Sequence, residues 1–237
     1  MFFVSLWFSL RGSREMNTAF SPSSRGRLTD HDLGRFPDDT LFHRVARATC
    51  HAGCLPRKEL FEAWETAKRV RRVCRGGRVV DLGGGHGLLA HAMLLLDDSS
   101  AEAIVVDTAI PASGARLHDE LVTAWPRLSG RVTFVSASIE DVALDSDDLV
   151  VSVHACGRLS DVVLDRAAAA RARVAVLPCC QDLDVNDHGD LTGWVDGPLA
   201  VDVVRALRLK AQGYRIRTQS IAREITPKNR LLIGEPV

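Results

Sequence analysis

The chain carries no excess charge of either sign. Lysine plus arginine and aspartate plus glutamate stand at 30 each among 237 residues. No global field therefore draws in a nucleic acid, and any surface for one has to be a local patch. No apolar run is long enough to span a bilayer, so no membrane partner is expected. A chain of this size does not need disulfide staples, and its six cysteines, Cys50, Cys54, Cys74, Cys156, Cys179 and Cys180, read as reduced thiols in a cytoplasmic setting. The Gly-Lys-Ser/Thr of a phosphate-cradling loop is absent. Nothing in the chain points to an obligate protein partner.

What is present turns on Val79-Val80-Asp81-Leu82-Gly83-Gly84-Gly85-His86-Gly87-Leu88. Two β-branched residues lead into Asp81, and the pattern changes at the glycines from strand to helix. Glycines allow a tight turn with positive φ and let a ligand approach main-chain N–H groups, where the following helix also points its unpaired donors. A dinucleotide fingerprint wants glycine at the first, third and sixth positions. From Gly83 the sixth position is Leu88; from Gly85 it is Ala90. An oxidoreductase using a nicotinamide is disfavoured on that spacing. What remains is a strand-end acid followed by Gly83, Gly85 and Gly87. This resembles the first motif of the Rossmann-like methyltransferases that use S-adenosylmethionine (SAM), and it implies SAM as cofactor. A second acid, Asp107, closes the next strand, Ala103 to Val106, at the ribose-binding position of such folds.

Taken in order, residues 1–36 are expected to be a disordered or over-extended N-terminal extension. Met1 to Leu10 makes a poor signal peptide, Met16 is the expected first residue, and Thr18 to Arg27 is a Ser/Pro/Arg-rich tail. Residues 37–76 read as a helical cap, with apolar faces at Leu41, Phe42, Val45 and Ala46, and then at Leu60, Phe61, Trp64, Ala67 and Val70, broken at Gly53 and Pro56. Arg69, Arg71, Arg72, Arg75 and Arg78 at its end are either a solvated helix terminus or a basic edge for RNA. Residues 77–237 read as the SAM-binding domain. Strands at Arg131 to Val135, Leu149 to Val153, Val174 to Leu177, Tyr214 to Ser220 and Arg230 to Ile233 complete seven, the first five parallel. Ser160 is a candidate N-cap for the helix Val162 to Ala170. The fold expected is α/β under an N-terminal helical cap, and the resemblance implies a Rossmann-like seven-stranded sheet of order 3-2-1-4-5-7-6.

His154-Ala155-Cys156-Gly157 with Asp161, and Pro178-Cys179-Cys180, resemble the His-x-Cys-Gly and Pro-Cys-Cys motifs of one methyltransferase branch. That branch includes the domain in the glutathione-transferase C-terminal-domain-containing protein and in methyltransferase-like proteins. Arg57-Lys58-Glu59-Leu60 and Thr226-Pro227-Lys228-Asn229-Arg230 share the likeness; Gln181 departs from it, standing where an aromatic residue or histidine is usual. The resemblance implies methyl transfer to an acceptor it leaves open, RNA being favoured. Cofactor contacts are expected from Asp81, Gly83, Gly85, Gly87 and Asp107, with adenine meeting Ser138 and Ile139. His154 is the candidate base, since a histidine titrates near neutrality. Cys50-His51-x-x-Cys54 has zinc-like spacing, but adjacent Cys179 and Cys180 are not expected to face one ion, so no metal is assigned. A non-catalytic SAM-binding or metal-responsive module is the alternative.

Overall fold

The computed structural model describes residues 20–237; the readings of the apolar opening and of Met16 lie outside the described residues. One sheet holds seven strands: β1 Val79–Leu82, β2 Ala103–Asp107, β3 Val132–Ser136, β4 Leu149–Ser152, β5 Arg173–Val176, β6 Tyr214–Ser220 and β7 Arg230–Pro236. Their order is 3-2-1-4-5-7-6. Strands β1 to β5 run parallel, and β7 is antiparallel to both neighbours. The expected Rossmann-like sheet is therefore the one formed. Among the described residues six α-helices accompany it: α1 Leu41–Ala52, α2 Arg57–Val73, α3 Leu88–Leu96, α4 Ser113–Ala124, α5 Arg158–Ala170 and α6 Gly197–Ala211. Among the described residues no helix is long and apolar enough to cross a membrane.

Strand β1 is buried along its whole length, and its side chains alternate between two cores. Val80 and Leu82 pack with Val163 and Ala167 of α5 and Leu209 of α6. Val79 packs on the other face, with α3 and the cap helices. Period two puts Asp81 on that second face, beneath the glycine turn. Helix α3 is buried everywhere but Leu96, because it lies between sheet and cap. Thr40 opens α1 by accepting the His43 N–H at 3.2 Å, and Gly53, in the left-handed region at φ 60°, ends it. Leu60, Ala63, Trp64, Ala67 and Val70 of α2 then share one core with α3 and the sheet.

Three expectations need correction. Residues 20–36 are not a tail: Leu28 and Phe36 are fully buried, the Leu28 N–H donates to Leu55 O at 2.9 Å, and Asp30–Arg35 forms a 3-10 turn. Two large apolar anchors outweigh the polar composition around them. The arginine run is not a wholly solvated helix terminus: Arg72 and Arg75 are exposed, but Arg69 donates to Ser220 O at 3.1 Å. Arg71 is buried, pairs with Asp97 at 3.2 Å and donates to Met93 O and Ser100 Oγ; Arg78 pairs with Asp148 at 2.7 Å, and Arg69 with Glu65. Ser160 is not an N-cap. Helix α5 starts at Arg158, after Gly157, and the Ser160 hydroxyl instead donates to Ala155 O at 2.5 Å.

Candidate active site

The glycine turn is built on β2. The Gly83 and Gly84 N–H groups both donate to Val106 O, at 2.8 and 3.1 Å. A Cβ at Gly84 would lie 2.8 Å from the Asp81 carboxyl carbon, so only glycine lets the turn close over that acid. A Cβ at Gly85 would meet nothing within 4 Å; it would stand in open space. A Cβ at Gly87 would strike Val105 and the Phe134 ring at 2.9 to 3.0 Å, so this glycine also serves the close packing of α3 on the sheet.

The space in front of the turn is a cavity of about 320 Å³ lined by Glu59, Gly83, Gly84, Gly85, His86, Asp107, Thr108, Ser138, Ile139, His154, Ala155 and Leu159. Its volume falls in the range of small-molecule sites. A second hollow of about 30 Å³ adjoins it and contains Asp81. Glu59, Gly83, Gly84, His86 and His154 wall both. Asp81 and Asp107 thus stand on adjoining spaces, one beneath the turn and one in front of it.

Asp107 takes the Gly85 N–H on one oxygen and the Ala109 N–H on the other, both at 3.1 Å. Each carboxylate oxygen keeps a lone pair for a ligand hydroxyl. Asp81 is 1 % exposed and accepts the Ala90 N–H at 3.3 Å, which ties the first turn of α3 to β1. Burial, with the nearby charge of Asp107, pushes its carboxyl up to about 7 against the restraint of the Ala90 N–H. A cation in the cavity would favour the carboxylate form.

Glu59 and His86 are site residues that the sequence pattern does not place. Glu59, in the first turn of α2, carries a carboxylate from the cap to the wall opposite the glycines. Its only signal was membership of the Arg57-Lys58-Glu59-Leu60 segment. His86 hydrogen-bonds Ser113 Oγ at 2.9 Å, and burial lowers its imidazole below the usual value.

His154 stands exposed just past the end of β4 and borders both spaces; its ring has no hydrogen-bond partner among the described residues. Ser138 and Ile139 line the cavity. Strands β4 and β5 pair in register at Ser152 and Val176, so the segments that follow them meet. Cys156, Cys179 and Cys180 gather there, their sulfurs all within 4.8 Å of one another. The adjacent cysteines do face one point, contrary to expectation: their sulfurs are 3.8 Å apart. Cys50 and Cys54 lie buried elsewhere, the Cys50 thiol pushed up to about 12 by burial and then by Asp32 and Asp30. Gln181 turns its amide to Pro178 O and Asp202 at 3.3 to 3.4 Å.

A larger cavity, about 470 Å³, lies between α6 and strands β6 and β7. Its acid, Asp202, is already held by Arg230 at 2.7 Å and Arg205 at 3.3 Å, so it offers no free group for chemistry.

The residues in front of the glycine turn suit SAM. An open cradle at Gly85, an acid with hydroxyl-accepting capacity at the end of β2 and the Glu59 carboxylate for a cationic ligand converge on one space that Ile139 also lines, with Asp81 on the hollow beside it. The model of a family described as a methyltransferase domain matches residues 59–186. The chain is 24% identical over 206 residues to a glutathione S-transferase C-terminal domain-containing protein of Xenopus laevis, covering 68% of this chain and 31% of the frog protein. The chain thus spans under a third of that relative's length. Among solved structures it is similar to an O-methyltransferase family protein from Burkholderia thailandensis, at 18% identity and TM-score 0.49, covering 86% of this chain and 62% of the other. It is also similar to a ribosomal protein L11 methylase from Lactobacillus delbrueckii subsp. bulgaricus, at 13% identity and TM-score 0.47, covering 74% and 76%. With more than half its length matched, the chain belongs to this family of methyltransferase domains.

Proposed function

We propose that this methyltransferase binds SAM in front of the glycine turn and methylates an RNA nucleotide presented at the carboxyl ends of β4 and β5. The observation that carries the reading is the shared cavity in which Asp107, the open Gly85 cradle and the unpartnered His154 ring meet. Bound SAM supplies a methyl group on a sulfonium, which is transferred by in-line displacement. Asp107 would take the ribose hydroxyls, and Ser138 and the Ile139 backbone would meet the adenine. Gly83 and Gly85 would admit the amino-acid portion against the main chain. Asp81 holds the turn from below, and Glu59 would offer its carboxylate to the α-ammonium group. His154 accepts the proton of the acceptor's nucleophile and helps align it.

RNA is favoured by what rims this edge. Trp194, 89% exposed, gives a flat face on which a base can stack. Arg158, Arg223 and Lys228 are exposed, with no carboxylate in salt-bridge reach among the described residues. The segment between β5 and α6 carries Asp182, Asp184, Asp187, Asp190 and Asp196; their repulsion confines phosphates to the side of Arg158 and Lys228. The test is a tritium screen from labelled SAM into RNA, protein and small-molecule pools. Label is expected in RNA. It should be lost in His154→Ala while SAM affinity stays within about twofold, because His154 acts on the acceptor rather than the donor. Label confined to protein or small molecules would refute the RNA assignment.

Glu59 gives a separate check on the cap. Glu59→Gln is expected to weaken SAM binding by roughly tenfold, the loss of one charge-assisted contact, with thermal stability unchanged. Unaltered affinity would remove Glu59 from the site.

A second reading rests on Gln181, whose amide is turned to Pro178 and Asp202. It leaves the position after the cysteine pair without a side chain aimed at the acceptor, as a non-catalytic SAM-binding module would. SAM binding with no transfer into any pool would select that reading.

A further inference from the structure

We propose that Cys156, Cys179 and Cys180 form a three-thiolate site for a thiophilic divalent cation such as Zn²⁺, bridging the loops that follow β4 and β5.

The site follows from the way the chain leaves the sheet. Adjacent parallel strands end level, at Ser152 and Val176. Cys156 lies four residues beyond one end and Cys179 three beyond the other. Gly157 then turns the chain with φ 56° and ψ −124°, a conformation close to glycine-only, directly after Cys156. The Cys179 and Cys180 sulfurs are 3.8 Å apart. That equals the edge of a tetrahedron with zinc–sulfur bonds of about 2.3 Å, roughly 3.8 Å. Cys156 and Cys179 approach to 2.7 Å, and the exposed Cys156 has room to swing outward by the remaining ångström.

The donor set selects the cation. Three sulfurs converge, and no carboxylate or imidazole of the described residues joins them. Such a set takes zinc or another soft ion and rejects magnesium and calcium. Three thiolates with a dication leave one negative charge. Three protein ligands leave the fourth position to water or to an incoming acceptor atom. The cysteines border neither the donor cavity nor the hollow beneath the turn, so the site stands independently of how SAM is bound. Its effect is to fix the loop that carries His154 against the loop after β5.

Cobalt tests it without SAM. The full chain, stripped with chelator under reductant, is titrated with Co²⁺ and then Zn²⁺. A thiolate-to-cobalt charge-transfer band is expected to saturate at one ion per chain, with visible bands of four-coordinate cobalt, and zinc should abolish both. Cys156→Ser and Cys180→Ser should each weaken binding by at least about tenfold, a loss that even outer-shell partners of metal sites produce. Unchanged circular dichroism and SAM binding would show that these variants remain folded. The proposal is overturned if no such band forms at one equivalent, or if the band survives in the double variant. It is also overturned if peroxide joins Cys156 to Cys179 as readily in metal-loaded protein as in stripped protein, because that result marks a redox pair.

Discussion

Replacing Asp107 by alanine is expected to weaken SAM binding on the order of 100-fold. Hydrogen bonds to a charged group are worth roughly 1.5–3 kcal/mol each, and a ribose offers two hydroxyls to this carboxylate. The same carboxylate holds the Gly85 and Ala109 N–H groups, so its removal also loosens the turn where the ligand sits. Asp107→Asn keeps an acceptor oxygen and the side chain's shape, and should fall between alanine and the parent. His154→Ala, on the acceptor side, should leave affinity alone. Calorimetric titration of the three variants separates these cases. Equal affinities for Asp107→Ala and the parent would place the ribose elsewhere.

The second large effect is on stability against pH, and it comes from two buried groups of opposite sign. Asp81 rises to about 7 in the folded protein, chiefly by burial, from an ordinary carboxyl near 4. Between those values the native state holds the extra proton. Its stabilising contribution, full below about pH 4, is lost as pH rises to about 7. His91, fully buried beneath α4, falls to about 4, again chiefly by burial. It stays neutral, with Nδ1 at 2.7 Å from Gly87 O and Nε2 at 3.0 Å from His118. Its contribution, full above about pH 6.5, is lost as pH falls to about 4. Each tenfold change in proton affinity between the folded and unfolded chain is worth about 1.4 kcal/mol, so the two groups contribute roughly 4 and 3 kcal/mol. They nearly cancel over one window.

The parent should therefore show little slope from these groups, while the single variants expose them. Asp81→Asn, whose amide oxygen still accepts the Ala90 N–H, is expected to lose stability on acidification from about pH 7 to about 4. His91→Gln, which can still donate to Gly87 O, is expected to lose stability as pH rises over the same range. Urea midpoints across that range measure both. Parallel slopes for the two variants would contradict the assignment of either group.

The sheet was legible because its signals are local. Short β-branched runs gave the strands, and the resemblance to the SAM methyltransferases implied their order. Asp81, Gly85 and Asp107 were legible for the same reason: two strand ends and one turn place them, and the spacing is short. Glu59 was not, because it reaches the site from a helix packed over the turn, and only tertiary contact brings it there. Gly87 was legible as a glycine, but its packing on Val105 and the Phe134 ring was not, because a motif does not show what the missing side chain makes room for. The arginines of and just after α2 looked like a surface because sequence does not reveal that Asp97 waits for Arg71 and Asp148 for Arg78. The meeting of Cys156 with Cys179 and Cys180 depends on the backbone reversal at Gly157, which leaves no periodic trace.

The central claim is that the glycine turn and Asp107 frame a SAM pocket. Isothermal titration of SAM into the folded chain, parent beside Asp107→Ala, tests it most directly. One equivalent bound by the parent, with the Asp107→Ala isotherm flattened at the same concentrations, is the expected result. No heat from folded parent at millimolar SAM, or tighter binding of a nicotinamide dinucleotide, would contradict it.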